Sequence, residues 1–78
     1  MRHIRFEWNF FGEDGKGTAE HHVRHLKEFM HRERFEAIQY DVKPVDELIW
    51  SAMMVIDEPT AHQIKNALKP NRAFIHQS

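Results

Sequence analysis

The 78-residue chain contains no cysteine, only three glycines and three prolines, and no long apolar run. The absence of cysteine excludes a disulfide framework and every site built on a thiolate, including cysteine-ligated zinc, iron–sulfur clusters and cysteine nucleophiles. No apolar run approaches the roughly 20 residues that a membrane-spanning helix needs, and the charged N-terminal residues are not followed by the apolar core of a signal peptide. We therefore expect a soluble, cytoplasmic protein with no membrane partner.

Neither sign of charge dominates the sequence. Eleven basic and twelve acidic side chains give a formal net charge of −1, so the chain has no overall attraction for nucleic acid or for an anionic membrane. Histidine is the unusual component, because protonation of all seven histidines would move the formal charge from −1 to +6. Solubility and self-association are expected to change between about pH 5 and 7, unless the histidines are only a feature of the exposed surface.

Hydrophobic periodicity divides the chain into strands and helices. Strands are predicted over 3–11, 36–43, 48–56 and 72–77. One helix is predicted from an N-cap at Thr18 to about residue 33, and a second opens at 57–60 and stops before Pro70. The residues 44–47 are predicted to connect the second and third strands, because proline does not continue a central ladder.

The same periodicity separates a core side of each element from a solvent side. The predicted core residues of the strands are Ile4, Phe6, Trp8, Phe10, Ile38, Tyr40, Val42, Leu48, Trp50, Ala52, Met54 and Ile56. The predicted core residues of the helices are Ala19, His22, Val23, Leu26, Phe29, Met30, Ala61, Ile64, Ala67 and Leu68. In the last strand, Ala73 and Ile75 are expected to face one way and Phe74 the other.

The element order β-α-β-β-α-β predicts a single ferredoxin-like domain over residues 1–78. In this α+β architecture a four-stranded antiparallel sheet carries two helices on one face, and right-handed crossovers place the first and third strands in the centre. A weak repeat at an offset of 42 residues supports two related halves, since Thr18-Ala19 matches Thr60-Ala61. The repeat matches His22 with Ile64, so we interpret His22 as a histidine at the edge of the core and not as a ligand.

The glycine-containing segment before the first helix is a candidate ligand-binding loop. Gly15, Lys16, Gly17 and Thr18 lie where backbone N–H groups at a helix start can hold a small anion or amide. The segment departs from the phosphate-binding pattern G-x-x-x-x-G-K-[ST], because Gly17 follows the lysine and the glycine spacing is short. The alternative interpretation is a mobile connector.

His21 and His25 are candidate metal ligands, because a spacing of four residues places both rings on one side of a helix. Zinc usually requires three or four protein ligands, the motif H-E-x-x-H is absent, and the neighbouring Arg24 disfavours a cation. The alternative is a solvated helix face, and we expect no cofactor.

Evidence for an enzyme is weak, so we lean towards a function without catalysis. Ser51 could meet His3 or His76 across the sheet, and Arg5, Glu7, Asp41 and Lys43 could join the same polar patch. The sequence supplies no pocket that would perturb the pKa values of these groups. The third strand also lacks the aromatic pattern with which sheets of this topology bind RNA.

The helix-free face of the sheet is the strongest candidate for a contact surface. Ile49, Met53 and Val55 are expected to form an exposed apolar centre, and Arg5 and Glu7 border it with both signs of charge. Such a surface fits a two-fold interface, in which each charge meets its complement on the partner. We therefore predict a small non-enzymatic binding or regulatory module that homodimerises through this face. The alternatives are a monomeric adaptor that docks another protein there, a small-molecule binder, or, less favoured, a small enzyme.

Overall fold

The computed structural model describes residues 2–76, in the element order β1, α1, β2, β3, α2, β4. The strands are β1 (His3–Phe11), β2 (Gln39–Asp46), β3 (Ile49–Asp57) and β4 (Arg72–His76). The helices are α1 (Gly15–Arg32) and α2 (Glu58–Leu68). The protein is thus an α+β fold with one four-stranded antiparallel sheet and two helices, which confirms the predicted class.

The strand order in the sheet is β2-β3-β1-β4, so β1 and β3 are central as the sequence predicts. Phe6 of β1 lies opposite Met54 of β3 on one side and opposite Ala73 of β4 on the other. The two outer strands differ, because β2 contains Pro44 and a register shift between Pro44 and Asp46. An edge strand accepts proline because its outer N–H groups have no strand to bond.

Both helices pack on the same side of the sheet. The even-numbered residues of β1 and β3 point to this side, where they form one core with the apolar stripes of α1 and α2. The largest fully buried side chains of this core are Phe6, Leu26, Met30, Met54 and Ile56. Burial of one such side chain stabilises the fold by about 1.5–3 kcal/mol, so this layer supplies most of the driving force. The other side, which carries the odd-numbered residues of β1 and β3, is covered by neither helix and is called the open face.

The first helix begins four residues earlier than predicted. The N-cap position belongs to Asp14 and not to Thr18, and Gly15 is the first helical residue. The hydroxyl of Thr18 donates a hydrogen bond of 3.0 Å to the Asp14 carbonyl oxygen inside the helix. Glycine at position 15 has a structural reason, because a Cβ there would lie 3.0 Å from the Phe10 carbonyl oxygen and 3.3 Å from the Trp50 ring.

The prediction for the hairpin between β2 and β3 was partly wrong. The strand β2 continues through Pro44 to Asp46, and the turn consists of Glu47 and Leu48. Leu48 is therefore 58% exposed instead of lying in the core. Its N–H donates a hydrogen bond of 2.9 Å to Asp46 Oδ1, a local bond typical of aspartate at turns.

The second helix largely follows its prediction. Asp57 is the N-cap and accepts a hydrogen bond of 2.8 Å from the Thr60 N–H, and the helix ends at Leu68, before Pro70. Its far end is held to the sheet by the Trp8 indole N–H, which donates to the Leu68 carbonyl oxygen at 2.9 Å. Ala67 is exposed instead of lying in the core.

The last strand ends at His76, and the predicted extension to Gln77 lies outside the described residues. Among residues 2–76, neither helix has the length and apolar content that a membrane crossing requires.

Candidate functional site

The open face combines polar residues from β1 with apolar residues from β3. Register places Arg5 beside Val55 and Glu7 beside Met53. Further along the same two strands, Asn9 lies beside Ser51 and Phe11 beside Ile49. The residues predicted as an interface therefore do share one face of the sheet.

The predicted exposure of this apolar centre is wrong for two residues. Met53 is only 7% exposed and Val55 is fully buried within the single chain. Their neighbours on this face are Arg5 and Glu7 of β1 on one side and Gln39 and Asp41 of β2 on the other. Long charged side chains cover apolar surface with their stems while the charged ends stay in water, a possibility that strand alternation alone does not reveal.

The most exposed large apolar side chains of the described residues lie instead at one corner of the sheet. Phe11, Val45 and Leu48 are all more than half exposed, and the partly buried Ile49 lies directly opposite Phe11. These four residues are called the apolar corner. A depression of about 600 Å³ lies there between the end of β1 and the β2–β3 turn. The sequence pattern does not indicate this corner, because it predicts Leu48 in the core and Val45 in a connection.

A smaller groove crosses the open face beside the apolar corner. It has a volume of about 160 Å³ and is lined by Glu7, Lys43, Pro44, Val45, Ser51 and Met53. The register shift in β2 lies at the Pro44 side of this groove. We call it the charged groove, because it carries a carboxylate from β1 and an ammonium group from β2.

The register separates Ser51 from the histidines with which it could form a catalytic relay. Ser51 lies opposite Asn9, whereas His3 lies opposite Asp57 and His76 at the other end of β1. Six residues of strand correspond to about 20 Å, too far for His3 or His76 to take a proton from the serine hydroxyl. The sequence-based pairing of Ser51 with either histidine is therefore wrong.

The four residues of the candidate ligand loop lie in the first turns of α1. Gly15 is buried, whereas Lys16, Gly17 and Thr18 are exposed. The Lys16 ammonium group lies 5.6 Å from the centre of the Trp50 ring. The segment is thus ordered helix and not a mobile connector, and its role in ligand binding stays a prediction.

His21 and His25 are brought together as predicted, with their Nε2 atoms 2.8 Å apart. Glu28 lies 3.9 Å from His25, but from the Nδ1 atom on the opposite side of the ring. No group of three or more histidine, aspartate or glutamate side chains within residues 2–76 has a metal-binding arrangement. The pair alone provides two ligands and no third ligand is beside it in the described residues, so the metal site stays a prediction.

His22 occupies the edge of the core, as the internal repeat indicates. Its ring is tilted against Trp8 and Phe10, with ring centres 4.9 Å and 5.3 Å away, and its buried Nε2 atom has no hydrogen-bond partner in the described structure. Burial lowers the pKa of His22 below 6.5, and repulsion from His25 lowers it further.

Comparisons of the chain with models of protein families, with curated proteins and with solved structures find no match.

Proposed function

We propose that the protein is a small non-enzymatic binding module that homodimerises through the open face of its sheet. The observation that carries this proposal is the apolar corner, in which Phe11 is 72% exposed at the rim of that face. A large aromatic side chain in water next to Val45, Leu48 and Ile49 is typical of a contact surface. Burial of Phe11 against a partner would contribute about 1.5–3 kcal/mol to association.

We also infer the finer topology on which the proposal depends, the ferredoxin-like arrangement. Its support is the element order β-α-β-β-α-β together with the sheet order β2-β3-β1-β4. In this arrangement both helices cover one side of the sheet, so the other side is free for a partner.

A second copy of the chain is the partner that the charges favour. The open face carries the ion pair Arg5–Glu7 and the looser pair Lys43–Asp41, whose charged atoms are 3.7 Å apart. A face with two positive and two negative groups can be its own complement across a two-fold axis. A chain of 78 residues has a modest core, and dimerisation is a common way to bury more apolar surface.

The test is the solution mass of the wild type and of Phe11→Glu, measured by light scattering on a sizing column. The wild type is expected near twice 9.4 kDa, and Phe11→Glu near 9.4 kDa. Because Phe11 is largely exposed, the variant should keep the fold, which circular dichroism checks. The alternative substitution Met53→Asp is unsuitable, because it would bury a charge in the single chain.

Ile38→Glu is the matched control, because Ile38 is also more than half exposed but lies before β2, away from the apolar corner. It should leave the dimer intact. A monomeric wild type would reject the dimer and favour the adaptor, in which a different protein covers Phe11. Equal loss of mass in both glutamate variants would reject the open face as the interface.

A further inference from the structure

The charged groove has a polar group at its floor that lacks a good partner. Ser51 is 6% exposed, and its hydroxyl makes one contact, a bond of 3.4 Å to the carbonyl oxygen of the next residue. That distance is long for a hydroxyl donor, whose bonds are usually about 2.7–2.8 Å. A buried hydroxyl without a good partner is costly in a sheet, and a ligand that bonds it would remove the cost.

Glu7 presents a carboxylate to the same groove and is paired there with Arg5. The Arg5 Nε atom lies 2.8 Å from Glu7 Oε2 as an ion pair without hydrogen-bond geometry, and the Arg5 guanidinium lies 4.8 Å from the centre of the Phe74 ring. A carboxylate has about four acceptor sites, so this ion pair leaves the Oε1 atom free to accept from a ligand. The carboxylate is thus oriented before a ligand arrives, which reduces the entropy lost on binding.

Lys43 supplies the opposite charge from β2. Its ammonium group lies 3.7 Å from Asp41 Oδ2, beyond the distance of a hydrogen bond between charged groups, and its side chain is largely exposed. The three N–H donors of Lys43 are therefore available to an anionic group that enters the groove.

From this arrangement we infer that the charged groove binds a small zwitterion with a short apolar body, such as an aliphatic α-amino acid. The ammonium group of the ligand would bond Glu7, its carboxylate would bond Lys43 and the Ser51 hydroxyl, and its apolar part would contact Met53 and Val45. The inference deepens the proposed function, on which it rests for the role as a binding module, by naming the ligand class. Every lining residue belongs to one chain, so the groove exists in a monomer, and in a dimer through the open face it would lie at the interface.

The size and charge of the groove exclude other common ligands. A volume of about 160 Å³ corresponds to roughly five water molecules, which suits a small ligand. Glu7 and Asp41 disfavour a phosphate dianion, and Lys43 and Arg5 disfavour a simple cation. A zwitterion is the ligand class whose positive charge can meet Glu7 on one side of the groove and whose negative charge can meet Lys43 on the other.

The experiment is an amide NMR titration of the full chain with L-valine and two analogues that each lack one charge. Isobutylamine lacks the carboxylate, and 3-methylbutanoate lacks the ammonium group. Valine is expected to shift the amides of Glu7, Lys43 and Ser51 and to bind at least about tenfold more tightly than either analogue, equivalent to about 1.4 kcal/mol.

Two variants assign the charges. In Glu7→Gln, valine should lose its advantage over 3-methylbutanoate, because the partner of the ammonium group is gone. In Lys43→Gln, valine should lose its advantage over isobutylamine instead. Ser51→Ala should weaken valine binding when it is combined with Glu7→Gln and when it is combined with Lys43→Gln. A native-like NMR spectrum of each variant shows that the fold is kept.

Equal affinity for the three compounds, shifts outside the groove, or no shift at about 20 mM valine would overturn the inference. The Phe11→Glu variant allows valine binding to be tested separately from dimerisation. A monomeric Phe11→Glu chain that still prefers valine supports the groove whatever the oligomeric state of the wild type. If neither the wild-type dimer nor the Phe11→Glu monomer prefers valine, the ligand is rejected and the dimer stands.

Discussion

Two single residues show how local chemistry sets the behaviour of whole elements. His22 fills a place in the stripe of α1 that an aliphatic residue fills in α2, and its ring contacts Trp8 and Phe10. Asp57 closes the start of α2, and hydrogen bonds from the side chain and backbone of Thr60 hold the pKa of Asp57 below its usual value. Burial favours the neutral ring of His22, and the Thr60 hydrogen bonds favour the ionised carboxylate of Asp57.

His22→Leu is expected to reduce the loss of stability in acid. The pKa of His22 lies below 6.5 in the folded chain, so between that pKa and 6.5 the unfolded chain binds a proton that the folded chain does not. The contribution of neutral His22 to the free energy of unfolding is therefore fully present above about pH 6.5, and it is lost as the pH falls below that value. Urea unfolding at about pH 7.5 and 5.5 should show a smaller decrease for His22→Leu than for the wild type. In His62→Gln, a change on the exposed side of α2, the free energy of unfolding should decrease by as much as in the wild type.

Asp57→Ala is expected to cost about 1 kcal/mol of unfolding free energy at neutral pH, because it removes the side-chain acceptor of an N-cap bond. Asp14→Ala is the matched control, since Asp14 is the N-cap of α1 but makes no side-chain capping bond. Urea unfolding of both variants measures the difference. Equal losses would show that the Thr60 bond contributes nothing specific.

At the scale of elements, the end of α1 is followed by a residue with left-handed backbone conformation, at a position that glycine usually occupies. The Phe35 N–H bonds the Met30 carbonyl oxygen at 2.8 Å, and the Arg34 N–H bonds the His31 carbonyl oxygen at 3.2 Å. This pair of bonds is the Schellman motif, in which the residue after the cap adopts a left-handed conformation. Here that residue is Arg34, with φ of 61°.

Arg34→Gly is expected to stabilise the fold by up to about 1 kcal/mol, because glycine reaches the left-handed region without the steric cost of a Cβ. Arg34→Ala keeps that cost and should change stability little. Thermal unfolding of the two variants provides the measurement. A gain for alanine equal to that for glycine would trace the effect to the lost charge and not to the backbone.

The elements also show where sequence patterns are sufficient. Alternation over β1 gave the correct strand and the correct face, because Phe6 and Trp8 are buried and each step along a strand reverses the side. The end of β2 could not be predicted in this way. Whether Pro44 ends a strand depends on whether that strand is central or at an edge. Alternation carries no information on this, whereas the sheet order places β2 at an edge, where proline is accepted.

At the scale of the whole molecule, charge is the property that varies most with pH. The formal charge is −1 with neutral histidines and +6 with all seven protonated, and the isoelectric point is about 6.6. Near that value, molecules repel one another least, while at lower pH the positive charge grows on a compact domain.

Solubility is therefore expected to pass through a minimum near pH 6.6 and to rise by about pH 5.5. Light scattering of the wild-type chain between about pH 5 and 8 measures this minimum. A chain whose scattering is independent of pH over that range would contradict the expectation.

The sequence by itself determined the composition of the protein, the order of its elements and the identity of most core residues. Each of these follows from local propensity and from the period with which apolar residues recur. The tertiary structure alone decided which apolar residues remain in water. Met53 and Val55 are buried between Arg5 and Glu7 of β1 and Gln39 and Asp41 of β2, whereas Phe11 and Leu48 remain more than half exposed at the rim of the sheet. Exposure depends on contacts between residues far apart in sequence, so strand alternation indicates the face of a side chain but not what covers it.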